Sequence, residues 1–426
     1  METNTLPYRT SKAVIAGVIG NLIEWYDFAL YGYFAPVLAK LFFPSKDPAV
    51  SLISTFGVFA TGFLMRPVGG AIFGHFGDKV GRRKALSASV FLMAIATTSI
   101  GLLPTYTQVG VVATILLTLM RLLQGLSAGG QFTGSISLLV EHAPESRRGF
   151  IGSWTTFSGV GGMLLGSGTG ALVASIMSDE ALQIWGWRIP FLLGILTGVI
   201  GLYLRFGIEE TPGFKALEES GNVAQSPLKE ALQHLRKEIL IGIGANWLNA
   251  AGFYTVFVYN TTYLSTVVKL PLSTALMVNT ISMIFLIASI PIMGGLSDRV
   301  GRKPILISGC LGVAVLAYPL FHLLSQGTFL HGLAAQLGFV IPISMLQGTI
   351  PTTMVEIFPT RARYSALSIA YNIAFAVFGG TAPLVATKLI SATKNNLSPS
   401  FSLIISAVIS LLVIARIKET YKESLR

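Results

Sequence analysis

The stretch GHFGDKVGRRK at residues 74–84 occurs a second time, in altered form, as GGLSDRVGRK at residues 294–303. In each copy an aspartate precedes a glycine by three positions, and basic residues follow that glycine. Asp298 lies 220 positions after Asp78 (298 − 78). Both copies follow a long apolar run, so we interpret them as polar loops at the ends of two membrane helices.

A second pair of motifs recurs in the same order and at nearly the same offset. EHAP begins at Glu141 and EIFP at Glu356, which lies 215 positions later (356 − 141). An arginine follows each motif, Arg148 in the first case and Arg363 in the second. Two unrelated motifs repeated in order predict duplicated halves. Parallel halves with a binding site between them near mid-membrane are a known transporter plan.

The composition is that of a membrane protein. Of the 426 residues, 52% are apolar and 12% are charged, whereas soluble domains carry roughly 25% charged residues. Apolar runs of ~18 residues or more recur along the chain, and each one predicts a transmembrane helix. The predicted fold is an all-α membrane protein of twelve transmembrane helices in two pseudo-symmetric six-helix bundles. The predicted helices are 14–39, 51–77, 85–103, 108–141, 148–178, 187–206, 238–268, 272–296, 304–324, 328–357, 362–390 and 397–416.

The longest polar stretch separates predicted helices 6 and 7 and divides the chain. The predicted domains are an N-terminal six-helix bundle at 1–206, a cytoplasmic linker loop at 207–237 and a C-terminal six-helix bundle at 238–426. The alternative for the linker is a solvated loop that only connects the two bundles.

The positive charge follows membrane topology rather than a nucleic-acid surface. The net charge is +11, but the basic residues form short clusters between apolar runs. Of the 30 Lys and Arg residues, 22 fall on the side of the predicted termini, five fall on the opposite side and three lie in or at the ends of helices. Basic loops stay in the cytoplasm. The sequence therefore predicts cytoplasmic termini, a bacterial cytoplasmic (inner) membrane location and no nucleic-acid partner.

The repeated Gly-x-x-x-Asp-x-x-Gly-Arg-Arg/Lys loop resembles the signature of the major facilitator superfamily, and the resemblance covers nearly the whole chain. It implies two bundles that rock about a central cavity. Lys79 departs from the usual arginine of that loop. It keeps the positive charge but lacks the planar fork of donors.

Further motifs resemble the metabolite:proton symporter branch, which includes proline/betaine, citrate, α-ketoglutarate and shikimate carriers. These motifs are NLIEWYDF at 21–28, LMRPVGG at 64–70, RLLQGLSAGG at 121–130 and WGWRIP at 185–190. GIEETPGF after helix 6, and FPT through RYS after helix 10, resemble the proline/betaine carriers most. Gln131 stands where relatives often have glutamate, so a proton role does not carry over to it. The long C-terminal coiled coil of some osmosensing carriers is not expected.

Four ionisable residues are predicted deep inside helices, where a charge is costly and usually functional. They are Glu24, Asp27, Arg66 and Arg121. Glu24 and Asp27 are three positions apart and share a helix face. Two close carboxylates in a low dielectric disfavour being charged together, so we predict that one of them carries the coupling proton. The alternative is a permanent ion pair that fixes the packing of helices 1, 2 and 4.

Arg121 is predicted to bind a substrate carboxylate through its fork of donors. Arg66 precedes Pro67 and is interpreted as a structural or gating residue. Trp25 and three tyrosines of helix 7 are candidates for a cation–π surface that binds a quaternary ammonium, the alternative being packing. Those tyrosines are Tyr254, Tyr259 and Tyr263. The predicted substrate-binding set is Arg121, Gln124, Gln131, Trp25, Tyr254, Asn249 and Asn372.

The duplicated motifs also predict a gate on the cytoplasmic side. Its members are Asp78, Arg82, Arg83, Glu141, Asp298, Arg302 and Glu356. Arg82 or Arg83 is expected to pair with Glu141, and Arg302 or Lys303 with Glu356. Such pairs would hold the gate shut in one state and break in the other. The alternative is that these charges only fix topology and helix ends.

The predicted function is proton-coupled symport that imports a small polar organic metabolite, either an organic acid or a zwitterion such as proline or betaine. A proton-independent facilitator, an antiporter or exporter of the same fold, and a non-transporting membrane sensor stay open. The sequence contains no phosphate-binding loop and no histidines at metal-ligand spacing, so no enzyme activity, cofactor or metal is predicted. The expected partners are a small-molecule substrate, protons and the lipid bilayer, with the monomer as the functional unit.

Overall fold

The computed structural model describes residues 8–80, 82–129, 131–206, 233–359 and 363–425, and within these ranges all regular secondary structure is helical. Within the described residues, segments separated only by a kink or a change of helix type combine into twelve helices. These are α1 (Tyr8–Tyr33, Ala35–Phe42), α2 (Pro48–Leu64, Arg66–Val80), α3 (Arg82–Leu102), α4 (Tyr106–Val109, Val111–Ser127, Gln131–Glu141), α5 (Arg148–Ile176), α6 (Asp179–Ala181, Leu182–Gly186, Arg188–Leu192, Gly194–Phe206), α7 (Arg236–Tyr254, Thr255–Tyr259, Asn260–Thr262, Tyr263–Val267), α8 (Leu272–Val300), α9 (Arg302–Leu324), α10 (Phe329–Ile357), α11 (Arg363–Ala374, Phe375–Gly379, Ala382–Thr393) and α12 (Ser398–Ile414).

The helices have the length and surface that a membrane requires. Among the described residues, nine helices are long and apolar enough to cross a bilayer, and α3 and α12 contain shorter apolar stretches. Large apolar side chains such as Leu172, Val315 and Leu330 are exposed on the outer faces. In water such surfaces would drive association, whereas in lipid they are the expected exterior.

Several helices that the sequence predicted as continuous are interrupted, among them α2 and α4. α2 breaks at Met65, directly before Arg66 and Pro67, because proline cannot donate the backbone hydrogen bond of a helix interior. α4 stops at Ser127 and resumes at Gln131, after two consecutive glycines of the sequence. The interruptions place Arg66 and Ala128 beside the same internal space.

Three of the described helices contain π turns. α6 has one at Leu182–Gly186, α7 has two at Thr255–Tyr259 and Tyr263–Val267, and α11 has one at Phe375–Gly379. Periodicity in the sequence did not predict them. Since π turns occur frequently at functional sites, α6, α7 and α11 are candidates for a functional role.

Glycines allow helices of the N-terminal half (α1–α6) to pack backbone against backbone. A Cβ atom on Gly125 of α4 would lie 1.8 Å from the carbonyl oxygen of Gly62 in α2. A Cβ atom on Gly162 of α5 would lie 2.0 Å from the carbonyl oxygen of Leu22 in α1. Small residues at such crossings are typical of membrane helix packing.

Gly125→Ala is therefore expected to lower the free energy of unfolding by about 1–3 kcal/mol, because α2 and α4 must separate to admit the methyl group. Thermal unfolding in detergent measures this effect. Gly57→Ala is the matched control, since a Cβ atom on Gly57 would meet nothing within 4 Å. Equal unfolding temperatures for the two variants would contradict the packing argument.

The N-terminal half and the C-terminal half (α7–α12) contact each other at both ends. On the side where the described chain begins and ends, the terminal side, Asp298 of α8 accepts hydrogen bonds from the first amides of α5. On the opposite side, Val258 of α7 lies against Gly32 of α1. The described parts of the two halves are therefore in contact on both sides. α7 begins at Arg236, whereas most of the predicted linker, 207–232, lies outside the described residues, so the domain boundaries stay a prediction.

Candidate functional site

A narrow internal space lies between α1, α2 and α4 of the N-terminal half. It is lined by Glu24, Trp25, Phe28, Arg66 and Ala128. In this conformation the space is too tight to admit a water-sized sphere. It brings a carboxylate, a guanidinium and aromatic rings together in the protein interior, which makes it the candidate substrate site.

The predicted carboxylate pair is divided between two environments. Glu24 is 4% exposed and lines the internal space, whereas Asp27 is 1% exposed and is directed towards α6. There the Thr197 hydroxyl donates to both carboxylate oxygens of Asp27 at 3.4 Å. Positions three apart on a helix differ by about 60° in direction, which is enough to separate the two side chains. Their predicted role in proton coupling stays a prediction.

Arg66 is the cation of the internal space. Its side chain is buried, and its guanidinium carbon lies 5.1 Å from the ring centroid of Trp25 and 5.8 Å from that of Phe63. Its Nε and Nη1 atoms have no hydrogen-bond partner among the described residues. A buried guanidinium with unused donors is costly. The available donors therefore suit an anionic group of a ligand, a role that the sequence interpretation did not give to Arg66.

Seven aromatic side chains form a closed series of contacts beside this space, referred to below as the aromatic ring. In order of contact they are Trp25, Phe132, Tyr371, Phe375, Tyr254, Phe63 and Phe28, and the neighbouring centroids are between 4.1 and 6.3 Å apart. Three members belong to α7 and α11, so the aromatic ring joins the two halves. Of the predicted cation–π residues, Trp25 and Tyr254 are members. Tyr259 instead contacts Phe56, and Tyr263 contacts Phe321.

Arg121 lies within the N-terminal half and does not line the internal space. Its Nη1 donates to Gln124 Oε1 at 2.7 Å and to the carbonyl oxygen of Phe28 at 3.3 Å. Gln124 in turn donates to Thr97 Oγ1 at 2.8 Å. The guanidinium of Arg121 also stacks on Phe28 and Tyr31, at 4.5 and 4.6 Å from their centroids. In this conformation Arg121 contacts α1 through Phe28 and lies outside the lining of the internal space. Its contact with substrate stays a prediction.

The remaining predicted substrate residues have different surroundings. Asn372 of α11 donates to the carbonyl oxygen of Gly129, at the interruption of α4, at 3.0 Å. Asn249 is buried in α7 and donates to Asn246 Oδ1 at 3.3 Å. The side chain of Gln131 lies outside the described ones. Among the described residues, no group of three or more His, Cys, Asp or Glu could hold a metal ion.

A buried charge cluster closes the terminal side. Arg302 forms ion pairs with Glu356, at 3.0 Å, and with Asp298, at 2.8 Å. Asp298 also accepts hydrogen bonds from the backbone amides of Gly149 and Phe150, at 2.7 and 2.8 Å. A carboxylate at the start of α5 is stabilised by the helix dipole. The sequence predicted that Arg302 or Lys303 pairs with Glu356, and the structure contains the pair with Arg302. Asp298 extends this cluster to the other half.

Glu141 forms its ion pair across the interface between the halves. Its carboxylate lies 2.9 Å from Nη1 of Arg363 in α11. The sequence had matched Glu141 with Arg82 or Arg83. The side chains of Arg82, Arg83 and Asp78 lie outside the described ones, so that pairing and the gating role of the cluster stay predictions.

The segment after α12 completes this closure, and the sequence interpretation missed it. Both carboxylate oxygens of Glu419 accept hydrogen bonds at 2.9 Å, one from the amide of Arg302 and one from that of Lys303. Glu419 therefore caps the start of α9. Gly301, the residue before α9, has φ = 110°, and a Cβ atom there would lie 2.6 Å from the Glu419 carboxylate. The positive φ favours glycine at this position, and a side chain there would also displace the Glu419 carboxylate.

The same segment also reaches the N-terminal half. Thr420 donates from Oγ1 to Glu356 Oε2 at 2.6 Å, and Arg148 of α5 donates to the carbonyl oxygen of Glu423 at 2.9 Å. The segment thus contacts the Arg302 cluster and α5 at once. A short polar segment has no periodicity that would predict such contacts.

Glu419→Gln is expected to loosen the terminal side, because it removes the charge that caps α9. The closed arrangement should lose roughly 0.5–2 kcal/mol of stabilisation, the usual contribution of a helix cap. The reporter is Thr352→Cys in a Cys310→Ser background, because Thr352 is buried and its hydroxyl donates to the Arg148 carbonyl oxygen across the interface. This cysteine should react faster with maleimide when Glu419→Gln is present than when Glu419 is retained. Lys422→Gln is the control in the same segment, since the Lys422 ammonium only approaches the Tyr421 ring. Unchanged reactivity in Glu419→Gln would contradict the role of the cap.

Comparison with known proteins identifies the family. The family model described as Major Facilitator Superfamily matches residues 17–383. The chain is 37% identical over 430 residues to a glycine betaine/proline/ectoine/pipecolic acid transporter of Dickeya dadantii, covering 98% of this chain and 85% of the relative. It is 36% identical over 427 residues to a proline/betaine transporter of Escherichia coli K12, covering 97% and 85%.

A solved structure shows the same fold. The xylose transporter of Escherichia coli, in a partially occluded inward open conformation, superposes with a TM-score of 0.78 at 21% identity. The match covers 98% of this chain and all of the other. With its duplicated motifs and its membrane-length helices, the chain therefore belongs to the major facilitator superfamily of multi-pass membrane transporters.

Proposed function

We propose that this protein is a proton-coupled symporter that imports a small zwitterionic metabolite of the proline or betaine type across the bacterial inner membrane. One observation carries the proposal: the buried Arg66 and Glu24 face a single space beside the aromatic ring that joins the two halves. Relatives named as proline/betaine transporters, 36–37% identical over nearly the whole chain, support the substrate class.

Arg66 binds the substrate carboxylate in this proposal. Its Nε and Nη1 are without partners among the described residues, and a guanidinium can donate two parallel hydrogen bonds to one carboxylate. Arg121 also has two donors without a partner among the described residues, Nε and Nη2, but it does not line the internal space, and its Nη1 donates to Gln124 and Phe28. We therefore assign the anchoring role to Arg66 and a supporting role to Arg121.

The aromatic ring receives the cationic end of the substrate. In this conformation the guanidinium of Arg66 lies over the faces of Trp25 and Phe63. A substrate carboxylate that binds Arg66 would draw the guanidinium away from those faces and leave them to the substrate ammonium group. Aromatic faces attract such cations without requiring an N–H donor, so both proline and a quaternary betaine fit. A dicarboxylate offers the aromatic ring no cation.

Glu24 carries the coupling proton. It shares the internal space with Arg66, so its charge state and the binding of a substrate carboxylate to Arg66 are electrostatically linked. A protonated Glu24 leaves the guanidinium available to the substrate, whereas a charged Glu24 competes for it. Substrate and proton therefore bind together, which is the condition for symport.

The closed charge cluster is the cytoplasmic gate of this transporter. The excess of basic residues on the terminal side supports a cytoplasmic location for that side. Opening towards the cytoplasm must then separate Asp298 from the amides of α5 and Glu141 from Arg363. The contacts that form the site and the gate lie within one chain, which supports a functional monomer of two bundles that rock against each other.

Uptake into proteoliposomes with an imposed inward proton gradient tests this function. Labelled proline, glycine betaine, α-ketoglutarate and citrate are each offered with and without a protonophore. Saturable, protonophore-sensitive accumulation of proline or betaine is expected. Uptake that only equilibrates would indicate a facilitator, and exchange driven by an opposed gradient would indicate an antiporter. Binding without uptake would indicate a sensor.

A further inference from the structure

A chain of buried amide side chains connects α5 with the first π turn of α7. Asn279 of α8 donates from Nδ2 to Ser167 Oγ of α5 at 3.0 Å. Gln336 of α10 donates from Nε2 to Asn279 Oδ1 at 2.6 Å and to the carbonyl oxygen of Val256 at 3.0 Å. Ser167, Asn279 and Gln336 are fully buried. The chain thus starts in the N-terminal half, crosses the interface and ends on the backbone of α7.

The geometry leaves little freedom at Gln336. The amide nitrogen of glutamine has two hydrogens, and both are used in these two bonds. No bulk water is available in the membrane interior to replace a lost partner, so separating Val256 from Gln336 leaves a donor of the Gln336 amide unpaired. The chain therefore favours the one position of the π turn in which both bonds are made.

The π turn that Gln336 holds is part of the closure on the side opposite the termini. Tyr259 of this turn contacts Phe56 of α2, with ring centroids 5.9 Å apart. Val258 packs so closely on α1 that a Cβ atom on Gly32 would lie 2.5 Å from its Cγ1. A displacement of the turn at Thr255–Tyr259 would therefore open this side, and π turns occur frequently at functional sites.

We propose that Asn279 and Gln336 are positioning residues that hold the π turn of α7 closed and so set the equilibrium between the closed and open opposite side. Neither residue lines the internal space beside Arg66, so the role needs no contact with substrate. Loss of the chain should favour the open form and impair occlusion of bound substrate. kcat for uptake then falls while KM does not rise.

The test measures opening directly. In a Cys310→Ser background, Val258→Cys places a thiol at the buried contact with α1. A membrane-impermeant maleimide added outside intact cells should label this thiol roughly fivefold faster or more in Gln336→Leu, as expected for the loss of one buried hydrogen bond. Gln336→Met, closer in shape, guards against poor folding. Asn279→Leu should increase the labelling rate in the same way. The double variant should be labelled no faster than either single variant, because both substitutions break the same series of hydrogen bonds.

Thr353→Val is the matched control in α10, because the Thr353 hydroxyl donates only to the Thr349 carbonyl of its own helix. Unchanged labelling in folded Gln336→Met would overturn the inference. An equal increase in Thr353→Val would also overturn it, since general loosening would then explain both. The labelling requires no transported compound, so a failure of the proposed substrate class would leave this test intact.

Discussion

Arg66→Lys is expected to lower kcat/KM for uptake of proline or betaine by roughly 30-fold or more, the loss expected when a buried charged pair loses one partner. Lysine keeps the charge, but it is a point donor that cannot bind a carboxylate through two parallel hydrogen bonds. It also loses the planar stacking on Trp25 and Phe63. Initial rates of uptake into proteoliposomes, measured over a range of substrate concentrations, give this ratio.

Arg121→Lys separates the two candidate arginines. Arg121 is held by Gln124 and the Phe28 carbonyl behind the site, so its substitution should reduce thermal stability more than it changes KM. If Arg121→Lys raises KM strongly while Arg66→Lys leaves KM unchanged, Arg121 anchors the substrate, as the sequence alone suggested. Choline, which lacks a carboxylate, is a further control: weak inhibition by choline should be similar in wild type and in Arg66→Lys.

The fold could be predicted because its signals are local and repeated. Long apolar runs predicted the helices, and the loops around Asp78 and Asp298 predicted two related halves. The pair between Arg302 and Glu356 followed from the same repetition, since each residue lies at the end of a helix. Such features depend on neighbouring positions in the chain, which a single sequence displays directly.

The site could be predicted only in part because it depends on breaks and long-range contacts. Arg66 was recognised as a buried charge, but the effect of Pro67 on the direction of α2 could not be calculated from helical spacing. The aromatic ring joins residues as distant as Trp25 and Tyr371, and no periodicity relates them. The contact of Glu419 with α9 is similarly distant. These arrangements are set by how helices pack, which lies beyond propensity and pattern.

Glu24→Gln is expected to uncouple transport from the proton gradient. Glutamine resembles the protonated acid, so Arg66 stays available to the substrate and binding is retained. The charge state that couples the proton is lost. Exchange of labelled for unlabelled substrate across the liposome membrane should therefore persist, whereas accumulation under an imposed proton gradient should fall by about 10-fold or more, the range typical of a lost proton-transfer group.

Asp27→Asn is the matched comparison, one turn further along α1. Asp27 lies against Thr197 of α6 and does not line the internal space, so asparagine can keep the hydrogen bond with the Thr197 hydroxyl. Its accumulation should stay sensitive to the gradient, and any loss should follow the amount of folded protein. The opposite result, with Asp27→Asn uncoupled and Glu24→Gln still coupled, would assign the coupling proton to Asp27, on the side of α1 that faces α6. Coupling would then act through the packing of α1 against α6, and the proposal that Glu24 and the substrate compete for Arg66 would be wrong.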